Sequence, residues 1–271
     1  MSAPDTIVLI HGFWVTPRSW ENWVAYYEAK GFKVIAPAYP GFEVEVEALN
    51  ADPTPVEELT VQAVVDHLES VIKPLDNPII MGHSAGGLFT QKMLDLGYGA
   101  SAVALNSAPP EGVMVHPWSQ LKSTFPVLKN PANRHRAPAF TFEQFNYAFT
   151  NGVDEETARA VYERYAVPVN GGILFGSVTA DLIPGKQDTY VNFKNPDRAP
   201  LLFISGSEDH IMPPSVQKSN AKHYKADGLI TEVIEFEGPH FMPGLDGWEK
   251  IADTALEWAL ANARANPKVE A

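Results

Sequence analysis

Ser84 stands in Gly82-His83-Ser84-Ala85-Gly86, a G-x-S-x-G pentapeptide with a glycine two positions to either side of a hydroxyl. That spacing suits a turn too tight for a Cβ, one that lifts the serine oxygen clear of the backbone. The chemistry on offer is nucleophilic attack. A hydroxyl is a weak nucleophile at neutral pH, so it needs a neighbouring base and a carboxylate to orient that base. Downstream, the candidate bases are His116, His135, His210, His223 and His240. A chance match to the pentapeptide turns up in roughly one chain in ten of this length, so its setting has to decide.

The setting is strand, turn, helix. Residues 78–81 are a short apolar strand, and residues 86–96 carry a helical pattern that stops at Gly97. Further strands are expected at 6–10, 32–37, 102–105, 200–205 and 231–236, and helices at 20–30, 56–72, 214–224 and 247–262. Such alternation predicts an α/β fold, a mostly parallel sheet with helices on its faces. The pattern breaks between 107 and 198, where prolines and aromatics crowd together and no strand is legible. There, 154–165 reads as a helix capped by Asp154. The expected organisation is a core in two parts, 1–106 and 199–271, interrupted by a mainly helical cap at 107–198.

Composition narrows the classes. The chain has 271 residues, is 45% hydrophobic and 20% charged, and has a net charge of −13. Ordinary apolar content supports a sizeable core. The negative charge argues against nucleic acid as a partner and against docking on an anionic membrane. The absence of cysteine removes disulfides, thiolate metal sites and cysteine nucleophiles. His210 beside Asp209 has no evident third ligand, so neither metal nor cofactor is expected. No signal-like start and no apolar run near the roughly 20 residues of a membrane span are present, so stable membrane insertion is not expected and a cytoplasmic protein is. A homodimer is compatible with all of this.

With its strand and helix, the pentapeptide resembles that of the α/β-hydrolase superfamily, in particular the lipase and esterase branch. The resemblance covers the chain apart from 107–198, where that superfamily places a variable cap. One departure is that the N-terminal hairpin common there is missing, since the His-Gly strand begins at residue 6. The resemblance implies a triad in the order serine, acid, histidine. His240, in Glu237-Gly238-Pro239-His240-Phe241, lies where the family has its histidine, past the last strand. Asp209, in Gly206-Ser207-Glu208-Asp209-His210, matches the family's strand–G-x-x-D acid, with Glu208 as competitor. Some relatives carry the acid one strand earlier, but Leu105-Asn106-Ser107 offers no carboxylate there. The implied oxyanion donors are the backbone N–H groups of Ala85 and, through the pattern His11-Gly12-Phe13, of Phe13. Trp14, His83, Phe145 and Phe149 are expected to line the pocket.

The expected reaction is hydrolysis of a small to medium, uncharged, hydrophobic ester through an acyl-enzyme. Thioesters and lactones differ only in the pocket. Relatives that cleave C–C bonds or cyanohydrins keep the triad and add a cap lysine or arginine near the substrate, for which Lys122, Lys129 and Arg134 are the candidates. Dehalogenase and epoxide-hydrolase chemistry is disfavoured, because those relatives carry aspartate at the position of Ser84. A ligand receptor on the same fold is the non-enzyme alternative.

Overall fold

Strands buried on both faces read as continuous apolar runs, and β1 (Thr6–Ile10), β3 (Ile79–His83) and β4 (Ser101–Leu105) are buried at every residue. The computed structural model describes residues 3–180 and 183–265. In it these strands join β2 (Lys33–Ile35), β5 (Leu201–Gly206) and β6 (Thr231–Phe236) in one sheet of order β2-β1-β3-β4-β5-β6. Every neighbouring pair is parallel.

Alternate side chains serve opposite faces. Ile7, Leu9, Met81 and Val103 pack with Trp23 and Tyr27 of α1 (Glu21–Ala29) and Ile251 and Ala255 of α10 (Trp248–Ala261). Val8, Ile10, Ile80 and Ala102 pack with Val64 and Leu68 of α3 (Val61–Ile72) and Phe89 and Met93 of α4 (Ala85–Asp95). Helix α9 (Pro214–His223) lies along β5 and β6. The register aligns Ile10 with Gly82, Gly82 with Ala104, Leu105 with Ile204, and Ile204 with Ile234. The C-terminal strand ends are therefore level, and the loops that leave them meet at one edge.

Most elements fall within a residue or two of expectation, and three departures have a clear form. The helix read at 56–72 begins at Val61, because Thr60 caps it by accepting a hydrogen bond from the Ala63 N–H at 3.1 Å, while Thr54–Val56 form a separate 3-10 turn. The strand read at 32–37 shortens to Lys33–Ile35. A short helix, α2 (Val46–Ala51), occupies what reads as loop.

Between β4 and β5 the described residues form α5 (Trp118–Leu128), α6 (Phe142–Phe149), α7 (Glu155–Tyr165) and α8 (Gly171–Thr179), with no strand among them. Asp154 caps α7, accepting from the Thr157 N–H at 3.0 Å. Phe140, Phe145, Phe149 and Tyr165 are buried, and their cluster is continuous with the α3–α4 face of the sheet rather than a separate core. Among the described residues no helix is long and apolar enough to cross a membrane.

Candidate active site

Ser84 sits between β3 and α4 with φ 58° and ψ −121°, a conformation costly for any residue with a Cβ. The surroundings enforce it. Its N–H donates to the Leu105 carbonyl at 2.9 Å, and its own carbonyl accepts from the N–H groups of Gly87 and Ala108, each at 2.9 Å. A Cβ on Gly86 would overlap the Ile10 carbonyl, and one on Gly82 the Gly86 carbonyl, so the tight approach needs both glycines. Trp14 after β1 and Asn106 after β4 also have positive φ, 62° and 43°, so backbone strain gathers at this sheet edge.

Asp209 and His240 are brought together, both fully or nearly fully buried. The His240 Nδ1–H donates to Asp209 Oδ2 at 2.7 Å. Asp209 Oδ1 accepts from the N–H groups of Ile211 at 2.7 Å and Met212 at 2.8 Å. With both oxygens accepting, the shared proton belongs on Nδ1, which leaves Nε2 of His240 as the basic lone pair. That Nε2 is buried and has no hydrogen-bond partner. The Ser84–His240 hydrogen bond expected from sequence is thus not made in this structure. Glu208, the competing acid, is exposed and points away, accepting from the Ser207 hydroxyl at 3.3 Å.

Two residues behind His240 fix its backbone. Nε2–H of His83 and Nδ2–H of Asn106 both donate to the His240 carbonyl, at 2.8 and 2.9 Å, and Asn106 Oδ1 accepts from the Gly206 N–H at 2.6 Å. Expected as a pocket wall, His83 instead lies 3% exposed between Trp20, His240 and Phe241. Burial pushes the His83 pKa well below its ordinary value, and the closeness of the second imidazole, His240, works in the same direction, so His83 acts here as a neutral donor. Sequence reading passed over Asn106; a polar residue at the end of a buried strand was the available signal. His11 is fully buried, its ring 3.9 Å from that of Tyr39, and burial lowers its pKa to about 4 although its Nδ1–H donates to the Gly12 carbonyl at 2.8 Å.

The loop after β1 leans on the nucleophile, since a Cβ on Gly12 would come within 2.9 Å of Ser84 Cβ. Among the described residues, neither the Phe13 nor the Ala85 N–H enters a backbone hydrogen bond, and Ala85 opens α4 at the positive end of its dipole. Phe149 meets the His240 ring edge-on at 5.0 Å, and Phe145 stacks on Phe149 at 4.4 Å. Trp14 stacks on Phe140 at 4.6 Å, and with Phe145 it lines a small cavity. A cavity of about 540 Å³ lies elsewhere, between Glu57–Val61, Arg134, α8 and Gln187–Thr189, and none of Ser84, Asp209 or His240 lines it. Of the candidate cap cations, Lys122 lies over the Tyr147 ring, Arg134 over Phe175, and Lys129 is exposed.

A parallel sheet whose strand ends carry a strained Ser84 and a buried Asp–His pair defines an α/β-hydrolase architecture. The chain belongs to the alpha/beta hydrolase family, whose sequence profile matches residues 7–254. No curated protein matches the sequence. Among solved structures, the chain is similar to an extracellular alpha/beta-hydrolase from a Paenibacillus species, described as sharing structural and functional homology with tobacco salicylic acid binding protein 2 (TM-score 0.71, 21% identity, covering 97% of this chain and 100% of that one). It is also similar to a Paleococcus ferrophilus monoacylglycerol lipase (0.63, 19%, 97% and 97%) and to a thermophilic esterase from Thermogutta terrifontis (0.62, 19%, 95% and 90%). At these identities the likeness is one of fold.

Proposed function

We propose that the protein is a serine hydrolase that cleaves carboxylic esters of small to medium, uncharged, hydrophobic substrates. The observation that carries this reading is the buried Asp209–His240 pair, whose Nε2 is left basic and unpartnered at the strand edge that holds the strained Ser84. Ser84 Oγ attacks the ester carbonyl carbon as its proton passes to His240 Nε2. The resulting oxyanion takes hydrogen bonds from the Phe13 and Ala85 N–H groups. His240 then gives the proton to the departing alkoxide, leaving an acyl group on Ser84. Water deacylates it by the same route, losing a proton to His240 as it attacks. Throughout, Asp209 holds the imidazole in the tautomer this shuttle needs.

Aromatic rings at the site, Phe149 against His240 and Phe13 edge-on to Phe89, support an uncharged partner. Lys122 is held over Tyr147, Arg134 over Phe175, and Lys129 is exposed, so none of the three is engaged with Ser84 or His240, which weighs against the lyase and C–C hydrolase readings that need a cation beside the substrate. We place the reaction in the cytoplasm, which cell fractionation checks. Turnover of a p-nitrophenyl ester series tests the chemistry: Ser84→Ala should lower kcat about 10⁴-fold or more with the fold intact. A wild-type protein that turns over no ester of any chain length and ignores fluorophosphonate probes would overturn the reading.

A further inference from the structure

Helix α5 has its polarity reversed. Its buried side is Gln120, Ser123, Thr124 and Val127, while Trp118, Leu121 and Phe125 stand 78%, 43% and 61% exposed. At 100° per residue those three fall within about 60° of one another on the outward side, and Lys122 and Lys129 start from that side, the Lys122 ammonium resting over the Tyr147 ring and Lys129 exposed. A helix that faces only water hides its apolar stripe. Here the stripe is turned out and a polar set is turned in, where Gln120 Oε1 is buried with no hydrogen-bond partner. Met114 just before the helix, and Val178 on the adjoining α8, are also 66% and 41% exposed.

The charge around this face sets it apart. The sequence has no Asp or Glu from Gly112 to Phe142, yet it carries Lys122, Lys129, Arg134 and Arg136 there, in a chain of net charge −13. An exposed tryptophan, leucine and phenylalanine flanked by lysines have the composition of a helix lying at a charged lipid–water boundary. A second copy of this chain is the competing occupant. A two-fold pairing through this face would set its lysines against their equals, which charge disfavours.

We propose that the outward face of α5 docks on the surface of an anionic lipid bilayer, with Trp118, Leu121 and Phe125 at the headgroup boundary and Lys122 and Lys129 toward the phosphates. The inner face of the same helix touches the acid loop, where the Ser123 hydroxyl, 2.9 Å from the Ser119 carbonyl of its own helix, also comes within 3.3 Å of the His210 carbonyl. A docked α5 therefore lies over the residue next to Asp209. The docking stands independently of the chemistry at Ser84.

Flotation of the full chain with vesicles tests it. Vesicles of equimolar phosphatidylcholine and phosphatidylglycerol should bind about tenfold or more tightly than phosphatidylcholine alone, and added salt should weaken the binding. The pairs Lys122→Glu with Lys129→Glu, and Trp118→Ser with Phe125→Ser, should each lower binding about tenfold or more. Circular dichroism confirms that these surface variants fold. Equal binding to both vesicle types, no binding to the anionic ones, or variants that bind like wild type would overturn the proposal. So would a sedimentation-detected dimer that Trp118→Ser with Phe125→Ser dissolves, since the face would then belong to a second copy.

Discussion

At the C-terminal edge of the sheet, polar and strained residues are buried and tied to neighbours; on the outward face of α5, large apolar residues stand in water. Phe149 and Phe125 express the contrast within one inserted segment. Phe149 is fully buried, stacked on Phe145 and edge-on to His240, whereas Phe125 is 61% exposed. The first environment uses apolar packing to hold polar groups in place, which is what a preorganised site requires. The second gains nothing from water, and its form makes sense only against something apolar. Core membership thus follows from what surrounds a residue, not from its type.

The largest effect that sharpens this comparison is at Phe149. Phe149→Ala removes a ring from a fully buried stack and should cost about 3–5 kcal/mol, read by urea unfolding. A loss under about 1 kcal/mol would mean that the aromatic layer around His240 is loosely packed.

Acid should loosen the sheet edge before it touches the α5 face. The folded state holds His11 at about 4 by burial, against 6.5 in the unfolded chain, and burial moves His83 the same way. Between those pH values the unfolded chain binds more protons than the folded one. The His11 contribution is therefore complete above pH 6.5 and drains as pH falls toward 4, by about 3 kcal/mol. Chemical denaturation at pH 7 and pH 4.5 checks this, and His11→Asn should flatten the slope. A slope unchanged in that variant would assign the acid sensitivity to other groups.

Much of this edge was legible, for reasons that also explain what was not. Strands β1 and β6 fall where the sequence reading sets them, because an unbroken or alternating apolar run between turn residues leaves little choice. Asp154 announces α7 by its type and place. Helix α5 escapes the same reading. Its apolar period marks the wrong face and Pro126 lies inside it, so neither periodicity nor propensity signals a helix. Ser84, Asp209 and His240 could be nominated from motifs, because each sits at a fixed offset from a strand end. The support for His240 could not, since Asn106 acts across strands, through a register visible only in the folded sheet.

That cross-strand support gives the next test. Asn106→Asp keeps an oxygen for the Gly206 N–H but can no longer donate to the His240 carbonyl. One lost donor to a buried carbonyl should cost about 1–3 kcal/mol. If the link positions His240, kcat for an ester should fall about tenfold or more with KM nearly unchanged. Equal stability loss with unaltered kcat would show that Asn106 merely ties β4 to β5.

The smallest expected effect tests the other side of the comparison. Phe125→Ala deletes as large a ring as Phe149→Ala, but from a side chain already mostly in water. Transfer free energy depends on area removed from water on folding, and little of Phe125 is removed. The change should stay within about 0.5 kcal/mol by the same urea titration. A small stabilisation would suit the reversed polarity of α5, since exposed apolar area that folding does not bury adds nothing to the folded state. A loss near that of Phe149→Ala would instead mean that the outward face of α5 is covered in solution, and measuring it across protein concentrations would separate cover by a second copy, which weakens on dilution, from cover within the chain, which does not.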